Sequence, residues 1–261
     1  MMAKNNSVSN FEAEVYLSGY KLFGVTDVNF GYSLPVDHIN VLGYNKFKTF
    51  TSSPPQSSLS VQKYLSPNDF LLNFTGNAGV SGGLFYNSQT RNFGFTSAYL
   101  NSYSVSCSVG NFPSLSADFS IFGDVGSGII QTTANETGIL KVVRPREILI
   151  ECDGTGTNRV ESFTYSVECQ RQPLYHPTGK GPIDVVTLRP YRVTAQFSLG
   201  IHDYESKRLF DYVIDSNKRN INITIGSLAT FSMSSMEFIG ETINSSATDD
   251  VTMTLNYQGF I

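Results

Sequence analysis

Asp153-Gly154-Thr155-Gly156 is the stretch of this sequence nearest to a catalytic loop. A carboxylate on an Asp-Thr-Gly turn activates water when a second such loop supplies a partner that shares its proton. Here Gly follows the Asp, and the other half of the chain carries Gly19-Tyr20-Lys21-Leu22 at that place. The stretch therefore reads as a tight hairpin turn. His38, His176 and His202 are scattered, with no His-Glu-x-x-His or paired-carboxylate spacing, and read as unrelated loop or surface residues. No Gly-x-Ser-x-Gly elbow occurs, and the serines at 52–60 and 102–108 read as strand-face or loop composition. Gly179-Lys180-Gly181 lacks the glycine lead and the following Ser or Thr of a phosphate loop. Asp249-Asp250 reads as turn chemistry before the last strand. Cys107, Cys152 and Cys169 are odd in number and not spaced as metal hairpins, so buried reduced thiols and cytoplasmic synthesis are expected. The expectation is a protein without catalytic residues, cofactor or metal.

These residues hang on a chain of 261 residues in which only 15% are charged, well below the usual quarter. Strand faces that would ordinarily carry Lys and Glu carry Ser, Thr and Asn instead, which predicts surface covered by partner chains. A net charge of −4 argues against a dedicated nucleic-acid binder while permitting passive contact with DNA. The opening residues have no apolar run, and no later run approaches the ~18 apolar residues of a spanning helix. Neither a secretion signal nor a membrane partner is expected.

Val25–Leu34 and Val160–Cys169 alternate apolar with small or polar residues at one offset. Val25 and Val160, Val28 and Phe163, Phe30 and Tyr165, and Tyr32 and Val167 all stand 135 apart. Phe95 and Phe231, Leu115 and Val251, Phe119 and Leu255, Leu59 and Ala195, and Val61 and Phe197 stand 136 apart. One inserted residue reconciles the two registers, and the pattern predicts a domain written twice. The boundaries follow: a flexible arm over 1–10, a first domain over 11–124, a linker over 125–146 and a second domain over 147–261.

Strands are predicted over 11–17 and 21–34, 57–65, 84–86, 92–97, 99–109 and 114–122, with counterparts in the second half. Residues 35–55, with Gly43, Pro54 and Pro55, read as a long projecting loop, as does Gln170–Pro190 in the second copy. Ser66, Pro67 and Asp69 before Phe70–Phe74 predict a helix start. Leu209, Phe210, Val213 and Ile214 predict its counterpart over Tyr204–Ile214. The fold class is mainly β: two tandem, similar β-sandwich or partly open barrel domains, each with one flanking α-helix and a long projecting loop.

Phe95–Gly123, with its serine-alternating strand, and Glu241–Leu255, a strand, turn and strand, resemble the closing segments of the tail tube proteins of long-tailed bacteriophages. The resemblance implies stacked rings whose inner strands form a continuous β-barrel around a DNA channel. A duplicated chain would build the six-unit ring from three copies. Val28, Phe30, Tyr32, Phe163, Tyr165 and Val167 would then lie on inner-sheet strands. Asn45, Lys46, Lys48, His176 and Lys180 would lie in stacking loops between rings. The implied partners are the chain itself, the tail terminator, the tape measure and the baseplate hub, with genomic DNA passing unbound during ejection. The implied location is the virion tail, assembled in host cytoplasm. A baseplate hub or head-tail ring protein shares these features, and a carbohydrate-binding receptor module would also suit the many Tyr and Asn residues.

Overall fold

The computed structural model describes residues 13–33, 36–39, 48–51, 56–67, 69–86, 91–127, 134–136, 138–176, 181–200, 218–245 and 251–260. Its strands in the first half are β1 (Glu14–Leu17), β2 (Tyr20–Lys21), β3 (Val25–Ser33), β4 (Val36–Ile39), β5 (Lys48–Thr51), β6 (Gln56–Tyr64), β7 (Val80–Tyr86), β8 (Arg91–Ser108) and β9 (Ser114–Ile121). The connecting segment holds β10 (Val125–Gly126) and β11 (Ala134–Asn135). The second half holds β12 (Ile148–Cys152), β13 (Thr155–Thr157), β14 (Val160–Tyr175), β15 (Pro182–Gly200), β16 (Arg219–Ile225), β17 (Ala229–Asn244) and β18 (Thr252–Phe260). The protein is mainly β, as its period-two alternation predicts.

In the first half each strand pairs with the next in the order β3, β6, β9, β8, β7, β1, β2. In the second half the order is β14, β15, β18, β17, β16, β12, β13. Taken position by position, the two orders are the same. Antiparallel pairing of β8 with β14, from Ser102 opposite Glu168 to Ser108 opposite Ser162, joins them into one sheet.

Backbone irregularities recur at matched places as well. Ser18 and Gly19 turn β1 into β2 with φ of 52° and 82°, and Asp153 and Gly154 turn β12 into β13 with 47° and 83°. Both central residues in the left-handed region suit a two-residue hairpin, which is what the Asp153 stretch was expected to be. Ser97 and Ser235, with φ of 53° and 57°, interrupt β8 and β17. At each of these points the long strand leaves one neighbour for another: β8 passes from β7 to β9, and β17 from β16 to β18. The left-handed residue is a corner that carries one strand from one layer of a sandwich into the other. Across the layers, Phe30 meets Phe93 with ring centroids 4.5 Å apart, and Tyr165 meets Phe231 at 4.6 Å. Measured on the corners, the offset between the long strands is 138, two more than the sequence pattern suggests. A slip of two keeps every side chain on its face, so alternation alone does not detect it.

Two expectations are corrected. Residues Leu71–Thr75 form a short 3-10 turn and not the expected α-helix. The residues expected to start that helix are spent elsewhere: the Ser66 hydroxyl donates to Glu136 at 2.8 Å, and the Asp69 carboxylate accepts from the Tyr103 hydroxyl at 3.0 Å. No side chain caps the turn, and Gly76 in extended conformation ends it. The second predicted helix, Tyr204–Ile214, lies outside the described residues. The segment Gln170–Pro190 is not a loop: β14 and β15 stay paired out to Tyr175 and Pro182. Pro173 stands beyond the stretch that β8 covers, where β14 has an open edge, and Pro190 falls in the register shift opposite Glu168–Gln170. Edges and bulges are where a sheet tolerates a residue without an N–H. The 35–55 segment likewise contains a hairpin, β4 with β5, separate from the main sheet. The linker docks on the first half, β10 on β8 and β11 on β2.

Candidate functional site, a polar sheet face between two edges

Strands β3, β6, β9 and β8 followed by β14, β15, β18 and the end of β17 form eight consecutive antiparallel strands, four from each half. Alternation sorts their side chains. One face is apolar, with Val61, Ala117, Tyr103, Val167 and Val193 in a single cross-strand row, all buried. On the other face a row runs Gln62, Ser116, Ser104, Ser166, Thr194, Gln258, and the next row runs Ser114, Ser106, Thr164, Gln196, Asn256. Cross-strand hydrogen bonds tie these side chains: Ser102 to Asp118 at 2.7 Å, Ser106 to Ser114 at 2.8 Å and Ser166 to Thr194 at 2.5 Å. Of the charged residues paired on this face, Asp27, Asp118, Glu168 and Glu237 are acidic and Arg192 is basic. The result is a broad hydroxyl and amide surface with a slight negative bias.

Val28, Phe30 and Tyr32 lie on β3, and Phe163, Tyr165 and Val167 lie on β14, at matching registers against β6 and β15. All six point to the apolar side of the sheet, so the polar face is built from their neighbours, such as Asn29, Thr164 and Ser166. That signal was present in the sequence as the second half of the same alternation. Lys48 begins β5, and His176 follows β14 at the tip of the long hairpin. Asn45, Lys46 and Lys180 lie outside the described residues.

A latch spans the junction of the halves. The Arg171 guanidinium on β14 donates to the Leu100 carbonyl at 2.8 Å and to the carbonyls of Gly76, Phe74 and Thr75 at 2.9, 3.1 and 3.2 Å. It also reaches the Thr187 hydroxyl, and the Tyr191 hydroxyl donates to the Thr75 carbonyl at 2.8 Å. A cation thus collects the orphan carbonyls at the end of the 3-10 turn.

Beneath the polar face lies a buried ionic cluster that sequence reading missed. Lys63 Nζ stands 2.6 and 2.8 Å from the Glu136 carboxylate oxygens and 3.0 Å from Asp69 Oδ1. Glu136 also accepts from the Phe23 amide at 2.8 Å, which fastens the linker to the first half. Burial raises the Asp69 carboxyl above its ordinary range; Lys63 opposes the rise and Glu136 adds to it. Lys63 continues the period-two apolar face of β6, which was the one available hint. Burial also pushes the Cys107 thiol up to about 11 and the Cys152 thiol up to about 12, so both behave as inert core groups.

No protein-family model matches the chain, and no curated protein matches it in sequence.

Proposed function

We propose that the chain is a virion structural protein, the major tube subunit of a long-tailed bacteriophage, formed by duplication of one domain. Three copies make a pseudo-sixfold ring, and stacked rings enclose a DNA-conducting channel. The observation that carries this reading is the eight-strand sheet, four strands from each half, with a polar and faintly acidic face. Three such sheets joined edge to edge give a closed barrel of twenty-four strands. At ~4.8 Å per strand the backbone circle is about 37 Å across, and strand tilt widens it further. Such a barrel encloses an open channel, unlike a barrel of eight strands, which side chains fill. Its lining would offer hydroxyls and amides with few cations, so a duplex slides past without the counterion release that would hold it. The recurring turns, corners and pairing order support duplication. The hairpins at 35–55 and 170–190 would contact neighbouring rings, and the terminator, tape measure and baseplate hub would meet the ends and lumen.

Negative-stain microscopy of the concentrated protein tests this reading. The expected result is threefold rings or tubes in which the two halves superpose under a rotation of about sixty degrees, as six equivalent units require. A hub or head-tail protein would stop at single rings. A monodisperse monomer that binds a glycan would overturn the proposal in favour of a receptor module, for which the crevice between Tyr32 and Tyr175 is the place to look.

A further inference from the structure

Inside the chain, β14 has two neighbours, β15 on one side and β8 on the other. Its counterpart β3 pairs with β6 alone among the described residues. The counterpart of the paired end of β8 is the end of β17, which likewise has one neighbour, β18. One strand of the internal junction is therefore repeated at each end of the eight-strand sheet, without the other. The side chains record the same asymmetry. Val167 and Val105, buried at the junction, are 1% and 0% exposed, whereas their counterparts Tyr32 and Ile243 are 55% and 52% exposed. Two open edges that bear apolar residues call for cover.

We propose that these edges meet each other: β3 of one copy pairs antiparallel with Gly240–Asn244 of β17 in the next copy, in the register that β14 keeps with β8. Thr164 stands opposite Ser106 and Ser166 opposite Ser104. Shifted by the offsets of 135 and 138 that the matched turns and corners give, these pairs become Asn29 opposite Asn244 and Gly31 opposite Thr242. The occupant is a second copy of this chain, because the surface that already covers β14 within the chain exists again, unpaired among the described residues, at the other end of the sheet. The contact is head to tail, so it continues until a ring closes. The inference rests on the ring reading above and adds the strands and the register.

The test joins Asn29→Cys with Asn244→Cys in one chain, followed by oxidation, non-reducing electrophoresis and microscopy. Facing pairs on adjacent antiparallel strands hold their β-carbons at disulfide distance, and diagonal pairs do not. Thr164→Cys with Ser106→Cys is the internal control, forming its bond within a single chain. The expected result is a covalent ladder ending at three chains, with little product from Asn29→Cys combined with Thr242→Cys. Ile243→Lys is expected to abolish assembly while leaving the circular dichroism and melting of the isolated chain unchanged, since the side chain is exposed. Tubes that form without the in-register bond would overturn the edge pairing and leave the tube reading standing. In-register bonds in rings that never stack would support the edge pairing and overturn the tube. A bond between two Asn29→Cys residues, in a dimer that grows no further, would overturn the edge pairing in favour of a symmetric contact, as would a chain that stays monomeric at every concentration.

Discussion

Lys63 is an ammonium enclosed by two carboxylates, with no exposed side-chain surface. Buried ion pairs add little net stability when whole, yet removing one partner leaves the others charged in a medium that solvates them poorly. Lys63→Met is therefore expected to lower unfolding free energy by about 3–5 kcal/mol in urea titrations. Combining it with Glu136→Gln is expected to recover part of the loss. Asp69 gives the cluster a pH signature. Its folded-state pKa is raised above its unfolded value, so its contribution to stability is complete below the ordinary aspartate range and is lost as pH rises through the raised value. Asp69→Asn keeps an acceptor for the Tyr103 hydroxyl and removes the titration. Melting temperature against pH should be flatter for the variant than for the parent from the aspartate range upward. Spacing gave little warning of this cluster, since Lys63, Asp69 and Glu136 come from separate elements and meet only when the linker folds back.

Arg171 shows how one element is held by another. Its fork gathers carbonyls from the 3-10 turn and from β8 and so ties the long hairpin of the second half to the first. Arg171→Lys offers a single point charge in place of the fork. Losing several charge-assisted bonds is expected to cost about 1.5–3 kcal/mol in denaturant unfolding. The elements most legible in sequence were the strands, because alternation is set by local side-chain chemistry. The predicted helix does not form, for a local reason with a distant cause: Ser66 and Asp69 are good caps, but the Glu136 carboxylate takes the Ser66 hydroxyl, and Lys63 and Tyr103 take the Asp69 carboxylate. The loop forecast over Gln170–Pro190 failed because prolines mark breaks only where both strand edges are paired. Here Pro173 lies at an edge and Pro190 at a register shift.

At the scale of the whole molecule, the polar face makes a quantitative demand. If duplex DNA must pass without holding, cations placed on that face should convert passage into binding. Ser104→Arg with Thr164→Arg puts two guanidinium groups on neighbouring strands without touching the apolar side. Assembled rings of this variant are expected to retain duplex DNA in a filter-binding assay. Affinity should fall steeply with salt, since each neutralised phosphate releases counterions. The parent is expected to retain little.

What the sequence determined by itself was the class of fold and the sorting of side chains, because period two follows from strand geometry whatever the strand packs against. It also determined that a pattern recurs, with offsets near 135. Tertiary structure alone decided which strands neighbour one another, where β8 and β17 turn the corner, and that those two corners, Ser97 and Ser235, stand 138 residues apart. A slip of two leaves the alternation intact, so only hydrogen-bond pairing registers it. Tertiary structure also decided that one internal junction, β8 against β14, leaves the same two kinds of edge open at the ends of the sheet among the described residues. Which edges stay open depends on non-local pairing, and local chemistry does not encode it.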